Sequence, residues 1–442
     1  MAIVKLSVIG CGYLGAVHAS CMADLGHEVV GIDVDAAKVA QLNAGEPPFH
    51  EPGLGEVLRR ALDSGRLRFS TDMADAASAR VHFVGVGTPQ QQGSYAADLT
   101  YVDAAIDALV PHLHAGSDGP AVVAGKSTVP VGTAARLAEK IGDAGVLAWN
   151  PEFLREGFAV QDTVAPDRLV YGLPGDDAKA AVARDALDAV YASILERGTP
   201  RLTADYASAE LVKVAANSFL ATKISFINAM AEMCEVTGAD VSFLAEAIGH
   251  DDRIGKKFLK AGIGFGGGCL PKDIRAFMAR AGELGAEQSL TFLREVDSIN
   301  LRRRQHVVNL TVHALEGRVP GKPVAVLGAA FKPHSDDIRD SPALDVASRL
   351  SGLGAKVRIV DPAAGPVLRR VRPDLDVRDS AHDAVAGAHV VLLLTEWPEF
   401  RDLDPVELGE SVEHRTIIDG RNVLDSAAWR AAGWTYIGLG RP

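Results

Sequence analysis

One cysteine of this chain stands in a sequence context that favours covalent chemistry. Cys269 follows a glycine-rich run over residues 264–268, and Pro271, Lys272 and Asp273 come soon after it. Because proline suits the first turn of a helix, the thiol is expected at a helix N-terminus, where a thiolate is favoured. Lys272 would add positive charge, and Asp273 would add a carboxylate. The pattern predicts a reactive thiol; the alternative is a small buried hydrophobe, the usual role of a free cysteine.

A second motif has the glycine spacing of a dinucleotide-binding turn. Gly10, Gly12 and Gly15 follow a predicted strand over residues 4–9 and open a predicted helix. The first glycine permits the turn, the second lets the backbone approach a pyrophosphate, and the third lets the helix pack closely. Asp33 ends the next predicted strand, where a carboxylate suits an adenosine ribose and favours NAD over NADP by repelling a 2′-phosphate. The alternative is a glycine turn kept for packing alone.

Polar residues follow several later predicted strands, at the edge where a parallel sheet binds its ligands. Thr88 and Thr128 carry hydroxyls that suit a cofactor ribose or a water, or else an ordinary turn. Glu152 and Glu156 are four residues apart and share one face if that segment is helical. One of them could be a base or a ligand contact; the alternative is a solvated helix start. Lys38 follows Asp33 closely and could contact the cofactor; the alternative is a lysine that is simply exposed to solvent.

A lysine and an asparagine stand four residues apart in the longest predicted helix, over residues 207–235. These residues, Lys213 and Asn217, lie in a largely apolar stretch, and burying them is costly unless they have partners. Together they could donate hydrogen bonds to a developing alkoxide. A partly exposed helix edge is the alternative.

The charge of the chain is acidic overall and basic in one place. Its 442 residues carry a formal net charge of −12, which argues against a nucleic-acid partner. Six cations nevertheless crowd around the glycine-rich run: Arg253, Lys256, Lys257, Lys260, Lys272 and Arg275. This concentration suits an anionic small molecule, and a solvated basic face is the alternative.

The cysteines and the hydropathy indicate a cytoplasmic protein. Four cysteines in 442 residues, without any CxxC pair, argue against a disulfide framework and against a metal site. No apolar stretch approaches the ~18 residues of a membrane-spanning helix, so no membrane partner is expected.

The order of the predicted elements divides the chain into three domains. Residues 1–202 alternate strands and helices, residues 203–304 are helical, and residues 305–442 repeat the α/β pattern without the glycine motif. The sequence therefore predicts an α/β protein with two Rossmann-like doubly wound domains, joined by a central helical domain with a long helix. The last domain is expected to bind something other than a dinucleotide. Three of its cations suit phosphate contacts: Lys332, Arg339 and Arg421.

These motifs, taken together and in order, resemble the UDP-glucose/GDP-mannose dehydrogenase family. Its members are nucleotide-sugar dehydrogenases that oxidise a C6 alcohol to an acid. The resemblance covers essentially the whole chain through segments 10–15, 87–89, 127–130, 150–154, 213–217, 253–255, 258–260, 264–273, 331–333 and 419–421.

The resemblance implies a role for each matching residue. As catalytic residues it implies Cys269 as nucleophile, Lys213 and Asn217 as oxyanion donors, and Asp273, Glu152 and a water near Thr128 for hydrolysis of a thioester. As NAD contacts it implies Gly10, Gly12, Tyr13, Leu14, Gly15, Asp33, Lys38, Thr88, Thr128, Glu156, Lys272 and Arg339. As sugar-nucleotide contacts it implies Glu152, Phe153, Leu154, Arg155, Glu156, Lys213, Asn217, Arg253, Phe258, Leu259, Lys260, Ala261, Gly262, Gly266, Lys332 and Arg421.

The implied reaction is a four-electron oxidation with two NAD in succession, through a thiohemiacetal and then a thioester on Cys269. Segment 258–265 looks most like the UDP-glucose branch; GDP-mannose or a UDP-N-acetyl sugar is the alternative substrate. A two-electron hydroxyacid dehydrogenase also places a lysine and an asparagine four apart, and a non-catalytic nucleotide sensor is a further alternative. Arg253 resembles an arginine that reaches into a neighbouring subunit, which implies a homodimer or a larger homo-oligomer. Gly268 departs from the family, where many relatives have serine, and only fine tuning is expected from it.

Overall fold

The computed structural model describes residues 3–116 and 119–442, and the chain divides into two compact units. The first unit comprises Met1–Ala216 and Arg275–Leu284, and the second comprises Asn217–Ile274 and Gly285–Pro442. The division into three domains at 1–202, 203–304 and 305–442 remains a prediction, because the two compact units are a coarser division of the chain. In the described part of the chain, no helix combines the length and the apolar character needed to cross a membrane.

The first unit is built on an eight-stranded sheet. Its strands are β1 (Lys5–Ile9), β2 (Glu28–Ile32), β3 (Leu67–Ser70), β4 (Val81–Val84), β5 (Val122–Gly125), β6 (Val146–Trp149), β7 (Leu169–Leu173) and β8 (Arg201–Asp205). They lie in the order β3-β2-β1-β4-β5-β6-β7-β8. The first six follow the strand order of a dinucleotide-binding fold, in which the order reverses between β1 and β4.

One pair in this sheet differs from the predicted parallel arrangement. Strands β6 and β7 are antiparallel, with Trp149 opposite Gly172, whereas the other pairs are parallel. Every residue of β4, β5 and β6 is buried, as expected for strands that helices cover on both faces.

Helices cover the sheet of the first unit. They are α1 (Tyr13–Asp24), α2 (Ala36–Asn43), α3 (Leu54–Asp63), α4 (Thr100–Leu109), α5 (Thr133–Ile141), α6 (Ala159–Val164), α7 (Asp177–Val190) and α8 (Ala192–Glu196). Short 3-10 helices occupy Met73–Ala76, Val110–His112 and Gly142–Ala144. Helix α1 is buried without interruption from Gly15 to Ala23, which places the glycine motif beside the core.

The central region is helical, as predicted. Helix α9 (Tyr206–Thr237) has 32 residues and extends the predicted 207–235 helix at both ends. It is followed by α10 (Val241–Gly249), α11 (Leu270–Glu283), a 3-10 helix at Glu287–Leu290 and α12 (Thr291–Ala314). The helix expected over residues 288–304 therefore starts after a 3-10 turn and continues to Ala314.

The second unit contains a six-stranded parallel sheet. Its strands are β9 (Pro323–Leu327), β10 (Lys356–Val360), β11 (Asp376–Val377), β12 (Val390–Leu393), β13 (Thr416–Asp419) and β14 (Thr435–Gly438). The order β11-β10-β9-β12-β13-β14 repeats the order of the first six strands, so both sheets are Rossmann-like. Its helices are α13 (Pro342–Gly352), α14 (Gly365–Val371), α15 (Ala381–Val385), α16 (Pro398–Arg401), α17 (Pro405–Gly409) and α18 (Ser426–Ala431).

An aspartate after β10 occupies the place that Asp33 has after β2, but its contacts are different. The Asp361 Oδ2 atom accepts the N–H groups of Ala329 and Ala330 at 2.7 and 2.9 Å, and Nε1–H of Trp397 at 3.1 Å. Three donors on one oxygen leave it no room for a ribose hydroxyl. The second sheet thus keeps the strand order but not the acceptor that a dinucleotide needs.

Candidate functional site

The three glycines of the motif Gly10, Gly12 and Gly15, at the start of α1, meet three different steric demands. Gly10 has φ +87°, in the left-handed region that favours glycine. A Cβ at Gly15 would lie 1.9 Å from the carbonyl oxygen of Gly10, so the helix could not pack there. A Cβ at Gly12 would have no described atom within 4 Å, and Gly12 is exposed at the N-cap of α1. That open approach to a helix N-terminus fits a phosphate group.

The carboxylate of Asp33 lies against this turn. Its Oδ2 atom accepts the N–H of Cys11 at 2.8 Å and Nζ of Lys38 at 2.9 Å, while Oδ1 accepts the N–H of Asp35 at 3.0 Å. The Lys38 side chain is the one partner that can move away without changing the backbone. Asp33 and Lys38 are therefore placed together, as the predicted cofactor contacts require, and a ribose hydroxyl could replace the lysine.

Glu51 is a site-forming residue that the sequence analysis missed. Its buried carboxylate accepts the N–H of Gly157 at 2.7 Å and that of Ala159 at 2.8 Å, and it also accepts the Tyr13 hydroxyl. Burial raises the pKa of Tyr13 far above its ordinary value, and the hydrogen bond to Glu51 raises it further. Glu51 thereby links the start of α1 to the segment after Glu156. No local pattern marks this glutamate, because its backbone partners Gly157 and Ala159 lie more than a hundred residues away.

The loops after β4 and β5 meet through their hydroxyl residues. Thr88 Oγ1 donates to the carbonyl oxygen of Thr128 at 2.8 Å, and Ser127 Oγ donates to that of Val86 at 2.7 Å. Thr88 is buried and Thr128 is half-buried. The two predicted threonines are thus brought together at the carboxyl end of the sheet.

The segment that carries Glu152 is irregular, so the helical interpretation that put Glu152 and Glu156 on one helix face is wrong. Glu152 Oε1 instead accepts the N–H groups of Phe153 and Leu154 at 2.7 and 2.9 Å. Its Oε2 lies 3.0 Å from Nζ of Lys126. Burial raises the pKa of the Glu152 carboxyl, but Lys126 and the two N–H groups together hold it below its ordinary value.

Lys213 is close to this segment, whereas Arg155 is turned to another partner. The Phe153 ring has Cζ of Arg168 at 4.0 Å from its centroid and Nζ of Lys213 at 5.4 Å. Arg155 forms a two-point ion pair with Asp162, with Nε and Nη2 at 2.9 and 2.6 Å from its oxygens. The structure therefore groups Phe153 with Lys213 and gives Arg155 a surface ion pair.

In the second unit, Cys269 is exposed and immediately precedes α11, so the alternative of a buried hydrophobe is wrong. The helix starts at Leu270 with Pro271 in its first turn, as predicted, and the Asp273 N–H donates to the Cys269 carbonyl at 2.8 Å. A thiol at this position benefits from the positive end of the helix dipole.

Asp273 organises the polar residues around this helix start. It is buried, and its Oδ2 accepts Nδ2–H of Asn217 at 2.6 Å while Oδ1 accepts Nζ–H of Lys272 at 2.7 Å. A buried carboxylate needs such partners, and here both of its oxygens have one. Asn217, Asp273 and Lys272 thus form one connected group a helical turn from Cys269. Lys213 precedes Asn217 by one turn of α9.

Two residues of α12 hold the glycine-rich run, and the sequence analysis did not identify them. Asn300 accepts the N–H of Phe265 at 2.7 Å through Oδ1 and donates to its carbonyl at 2.9 Å through Nδ2. Arg304, one turn later, donates to the same carbonyl at 3.0 Å and to Asp340 Oδ1 at 2.7 Å. Gly264 has φ +96°, and its added Cβ would lie 2.2 Å from Asn300 Oδ1.

The next glycines accommodate a neighbouring loop. A Cβ at Gly266 would lie 2.3 Å from the carbonyl oxygen of Asp340, and one at Gly268 would lie 2.4 Å from Cζ of Arg339. Gly267 donates its N–H to the Arg339 carbonyl at 3.0 Å. A side chain at position 268 would therefore have to displace the Arg339 guanidinium, which is the far end of a flexible side chain.

Arg421 has a structural role in addition to the predicted one. Its guanidinium donates to the carbonyl oxygens of Leu394, Gly264 and Phe331 at 2.8, 3.1 and 3.2 Å, and it pairs with Glu396 at 3.2 Å. Arg421 thereby connects the end of β12 to the glycine-rich run.

The residues of the predicted 258–262 contact segment are placed unequally. Leu259 and Ala261 are buried, whereas Phe258 and Lys260 are exposed. Gly262 donates its N–H to Asn228 at 2.9 Å. In the last predicted contact segment, Lys332 Nζ lies 5.1 Å from the centroid of the Phe331 ring.

Comparison with known proteins finds similarity along almost the whole chain. Three models of the UDP-glucose/GDP-mannose dehydrogenase family match it: the NAD binding domain over residues 4–195, the central domain over 207–302 and the UDP binding domain over 325–426. The UDP-glucose 6-dehydrogenase of Rhizobium meliloti is 38% identical over 99% of this chain and 100% of its own length. That of Pseudomonas aeruginosa is 39% identical over 99% of this chain and 98% of its own.

Solved structures show the same similarity. A UDP-glucose dehydrogenase from Pyrobaculum islandicum superposes with a TM-score of 0.88 at 38% identity, over 100% of this chain and 98% of its own. A UDP-D-ManNAc dehydrogenase from Pyrococcus horikoshii has a TM-score of 0.85 at 27% identity, over 99% of each chain.

The open space at Gly12 leads to a test of NAD binding. We expect Gly12→Ala to leave the melting temperature unchanged, because the added methyl meets no described atom. The same methyl would obstruct a phosphate at the helix N-terminus, so the affinity for NAD should fall about tenfold or more, at least about 1.4 kcal/mol. Isothermal titration with NAD measures this. Gly15→Ala, whose methyl meets backbone, should instead lower the melting temperature; unchanged NAD affinity in Gly12→Ala would contradict the assignment.

The Asn300 contacts lead to a test of the glycine-rich run. Gly264→Ala should lower the free energy of unfolding by about 2 to 4 kcal/mol, since it places a methyl at positive φ and breaks the Asn300 hydrogen bonds. Gly282→Ala in α11 is the control: its methyl has no described atom within 4 Å, so stability should stay unchanged or rise by up to about 1 kcal/mol. Denaturant unfolding compares the two variants, and equal effects on stability would refute the role of Asn300 in holding the glycine-rich run.

Proposed function

Because the chain belongs to the UDP-glucose/GDP-mannose dehydrogenase family, we propose that it oxidises UDP-glucose at C6 to UDP-glucuronate with NAD as its cofactor. The observation that carries the proposal is the exposed Cys269 at the start of α11, beside the buried Asn217–Asp273–Lys272 group. UDP-glucose is favoured among nucleotide sugars because full-length relatives that carry this name reach 38 and 39% identity. The N-acetylated-sugar relative from Pyrococcus horikoshii reaches 27%.

NAD fits the residues of the first unit. The free approach at Gly12, the carboxylate of Asp33 with Lys38 beside it, and the joined loops of Thr88 and Thr128 would hold it. When bound, NAD accepts a hydride from carbon, and two NAD serve in succession. Tyr13 and Glu51 would keep the adjoining segment in place around it.

Cys269 would keep the intermediate bound between the two oxidations. Its thiolate attacks the C6 aldehyde, forming a C–S bond and a thiohemiacetal whose carbon still carries a hydrogen. Loss of that hydrogen as a hydride leaves a thioester, and water then cleaves the C–S bond to give the carboxylate and the free thiol. The balance is one alcohol, two NAD⁺ and one water converted to one carboxylate, two NADH and three protons.

Asn217 and Lys213 would stabilise the oxygen that becomes negative. The Asn217 amide has two N–H donors, and the bond to Asp273 fixes the direction in which the second one points. A positioned donor of this kind stabilises an alkoxide or a tetrahedral oxyanion without reorganisation. Lys213, one turn earlier on α9, would add positive charge.

Hydrolysis of the thioester needs a water and a group that takes its proton. We assign this part to Asp273 and Glu152, with the water held near Thr128. The Gly266–Asp340 contact and the Arg421 bonds would keep the surrounding loops closed around the sugar nucleotide, which Lys332 and the 258–262 segment would also contact.

A reducing compartment, the cytoplasm, agrees with this chemistry. None of the four cysteines, all of which lie in the described residues, forms a disulfide, and a catalytic thiol requires reducing conditions.

A homodimer is the assembly that we propose. Helix α9 exposes Phe219, Phe226 and Met233 by 67, 49 and 56%, and their spacing of seven residues puts them in one stripe of the helix. A regular apolar stripe on a long helix suits the same stripe of a second copy. Arg253 is 89% exposed and paired with Asp251, so it is accessible to a neighbouring subunit.

The reaction can be tested through Cys269. The unmodified protein should form two NADH per UDP-glucose, and Cys269→Ser should reduce UDP-glucuronate formation by about a thousandfold, since the aldehyde is no longer captured. NADH absorbance and product analysis measure both quantities, with GDP-mannose and UDP-N-acetyl sugars assayed in parallel. Cys234→Ala, at a buried thiol, is the control and should retain activity. Undiminished UDP-glucuronate production by Cys269→Ser, or one NADH per substrate, would refute the mechanism.

The dimer can be tested through its stripe. Phe226→Asp should convert the protein to a monomer, because two carboxylates would be buried against apolar surface. Light scattering should then give a mass near the 46.5 kDa of one chain instead of twice that value. Val371→Asp changes a comparably exposed residue on α14 and should leave the dimer intact. A monomeric unmodified protein would exclude the proposed assembly.

A further inference from the structure

We propose that Lys126 is a positioning residue for the reaction: it holds Glu152 as an oriented carboxylate that accepts a hydrogen bond from the reacting molecule. The part of this inference that concerns the reaction rests on the proposed function. The ion pair itself lies within the first unit and is independent of it.

Lys126 is a buried cation with a complete set of partners. Its side chain is 4% exposed, directly after β5. Nζ lies 3.0 Å from Glu152 Oε2, 3.1 Å from Asn150 Oδ1 and 3.4 Å from the Tyr191 hydroxyl oxygen. An ammonium group has three N–H donors, and each of these has an acceptor here. A lysine this buried and this fully engaged is held in one direction.

The neutral partners of Lys126 are themselves fixed. Asn150 donates from Nδ2 to the carbonyl oxygen of Val170 at 3.0 Å, which turns its Oδ1 toward Lys126. The Tyr191 hydroxyl donates to the same Oδ1 at 2.8 Å. These groups orient the ammonium without neutralising it, so the charge of Lys126 is matched by Glu152.

The contacts of Glu152 identify the oxygen that faces a reactant. Oε1 has both acceptor positions occupied by the N–H groups of Phe153 and Leu154. Oε2 receives Lys126 and retains a second acceptor position. The Glu152 side chain is 15% exposed, so a water or a hydroxyl can approach it. The oxygen available to the reaction is therefore the one that Lys126 binds.

Three buried titratable groups that interact electrostatically with the pair are uncharged at neutral pH. Burial, and then Glu152, raises the pKa of Tyr191 well above its ordinary value. Burial, and then Lys126, lowers the pKa of His18 well below its ordinary value. Burial raises the pKa of the Cys21 thiol to about 12. Lys126 has the largest effect among the groups that favour the ionised form of Glu152, ahead of the two backbone N–H groups.

Removal of Lys126 would reverse the preference of the Glu152 carboxyl for its ionised form. Burial would then favour the protonated acid, whose O–H donates where the carboxylate accepts. Glu152 would lose its acceptor function over part of the neutral pH range. Lys126→Met is the variant that removes the charge while keeping a side chain of similar length.

The first readout is stability against pH, which does not depend on activity. In the unmodified protein the pKa of Glu152 lies below its value in the unfolded chain. The contribution of Glu152 to folding stability is therefore fully present above about pH 4.3 and is lost as the pH falls. In Lys126→Met the folded pKa would lie above the unfolded value, so stability should fall as the pH rises from about 5 to 8. The reference is the double variant Lys126→Met/Glu152→Gln, which has neither charge. If the melting temperatures of Lys126→Met and of this reference differ by the same amount at every pH, the proposal is overturned.

The second readout is the pH profile of kcat with UDP-glucose and NAD. In Lys126→Met the acid limb should move upward by about one to three pH units, the size of the effect of an adjacent opposite charge. An unmoved limb, with activity lowered equally at every pH, would show a merely structural role and would overturn the positioning role. Failure of the proposed function can be distinguished from failure of this inference. In the first case the unmodified protein would form no NADH, while the pH dependence of stability would still show the Lys126–Glu152 ion pair.

Glu152→Gln serves if Lys126→Met does not fold. In this variant Lys126 is a buried charge without its carboxylate partner, so the melting temperature of the variant should fall as the pH is lowered. This is the opposite of the pH dependence expected for Lys126→Met. A pH-independent difference between Glu152→Gln and the double variant would equally overturn the proposal.

Discussion

Buried carboxylates that accept backbone N–H groups are the constraint on which the loops of this protein depend. Asp33 accepts from the glycine turn, Glu51 from the segment before α6, and Glu152 from its own loop. Glu210, on α9, accepts the N–H groups of Gly132 and Ala134 at 2.8 and 2.6 Å. Strand ends leave such N–H groups without partners, and a carboxylate can satisfy two at once. The loops that carry the candidate site are therefore fixed by carboxylates, of which Asp33, Glu51 and Glu210 are distant in the chain and Glu152 lies in the loop itself.

The same constraint determines what the acids can do chemically. An oxygen that already accepts two N–H groups has no position left for a reactant, as with Glu152 Oε1. Asp273 differs, because its partners Asn217 and Lys272 are side chains, and side chains can exchange partners without moving the backbone. Positioning acids and reacting acids can thus be separated by the kind of donor they bind. Glu152 binds both kinds of donor, because Oε1 accepts backbone N–H groups and Oε2 lies against the Lys126 side chain.

Local chemistry made much of the fold and part of the site predictable from the sequence. The glycine motif, Asp33, the long helix and the helix start after Cys269 each depend on neighbouring residues, and the structure contains all four. Glu51, Asn300 and Arg304 were missed because their partners are distant in the chain. The helical interpretation of residues 152–156 was wrong because the Glu152 carboxylate binds its own backbone N–H groups and competes with helix formation. The reversal at β7 also depends on sheet pairing that no local pattern encodes.

The two Rossmann-like sheets show that topology alone does not determine the ligand. Both have an aspartate after the second strand of the same strand order, and both aspartates bind the turn after the first strand. At Asp33 the remaining donor is the Lys38 ammonium, which a ribose hydroxyl can replace. At Asp361 the corresponding donors are the N–H of Ala330 and the indole N–H of the buried Trp397, neither of which is a mobile surface side chain. A second backbone N–H and an aromatic side chain therefore occupy the carboxylate oxygen that a ribose hydroxyl could reach at Asp33, so two sheets with the same strand order can differ in the ligand that they bind.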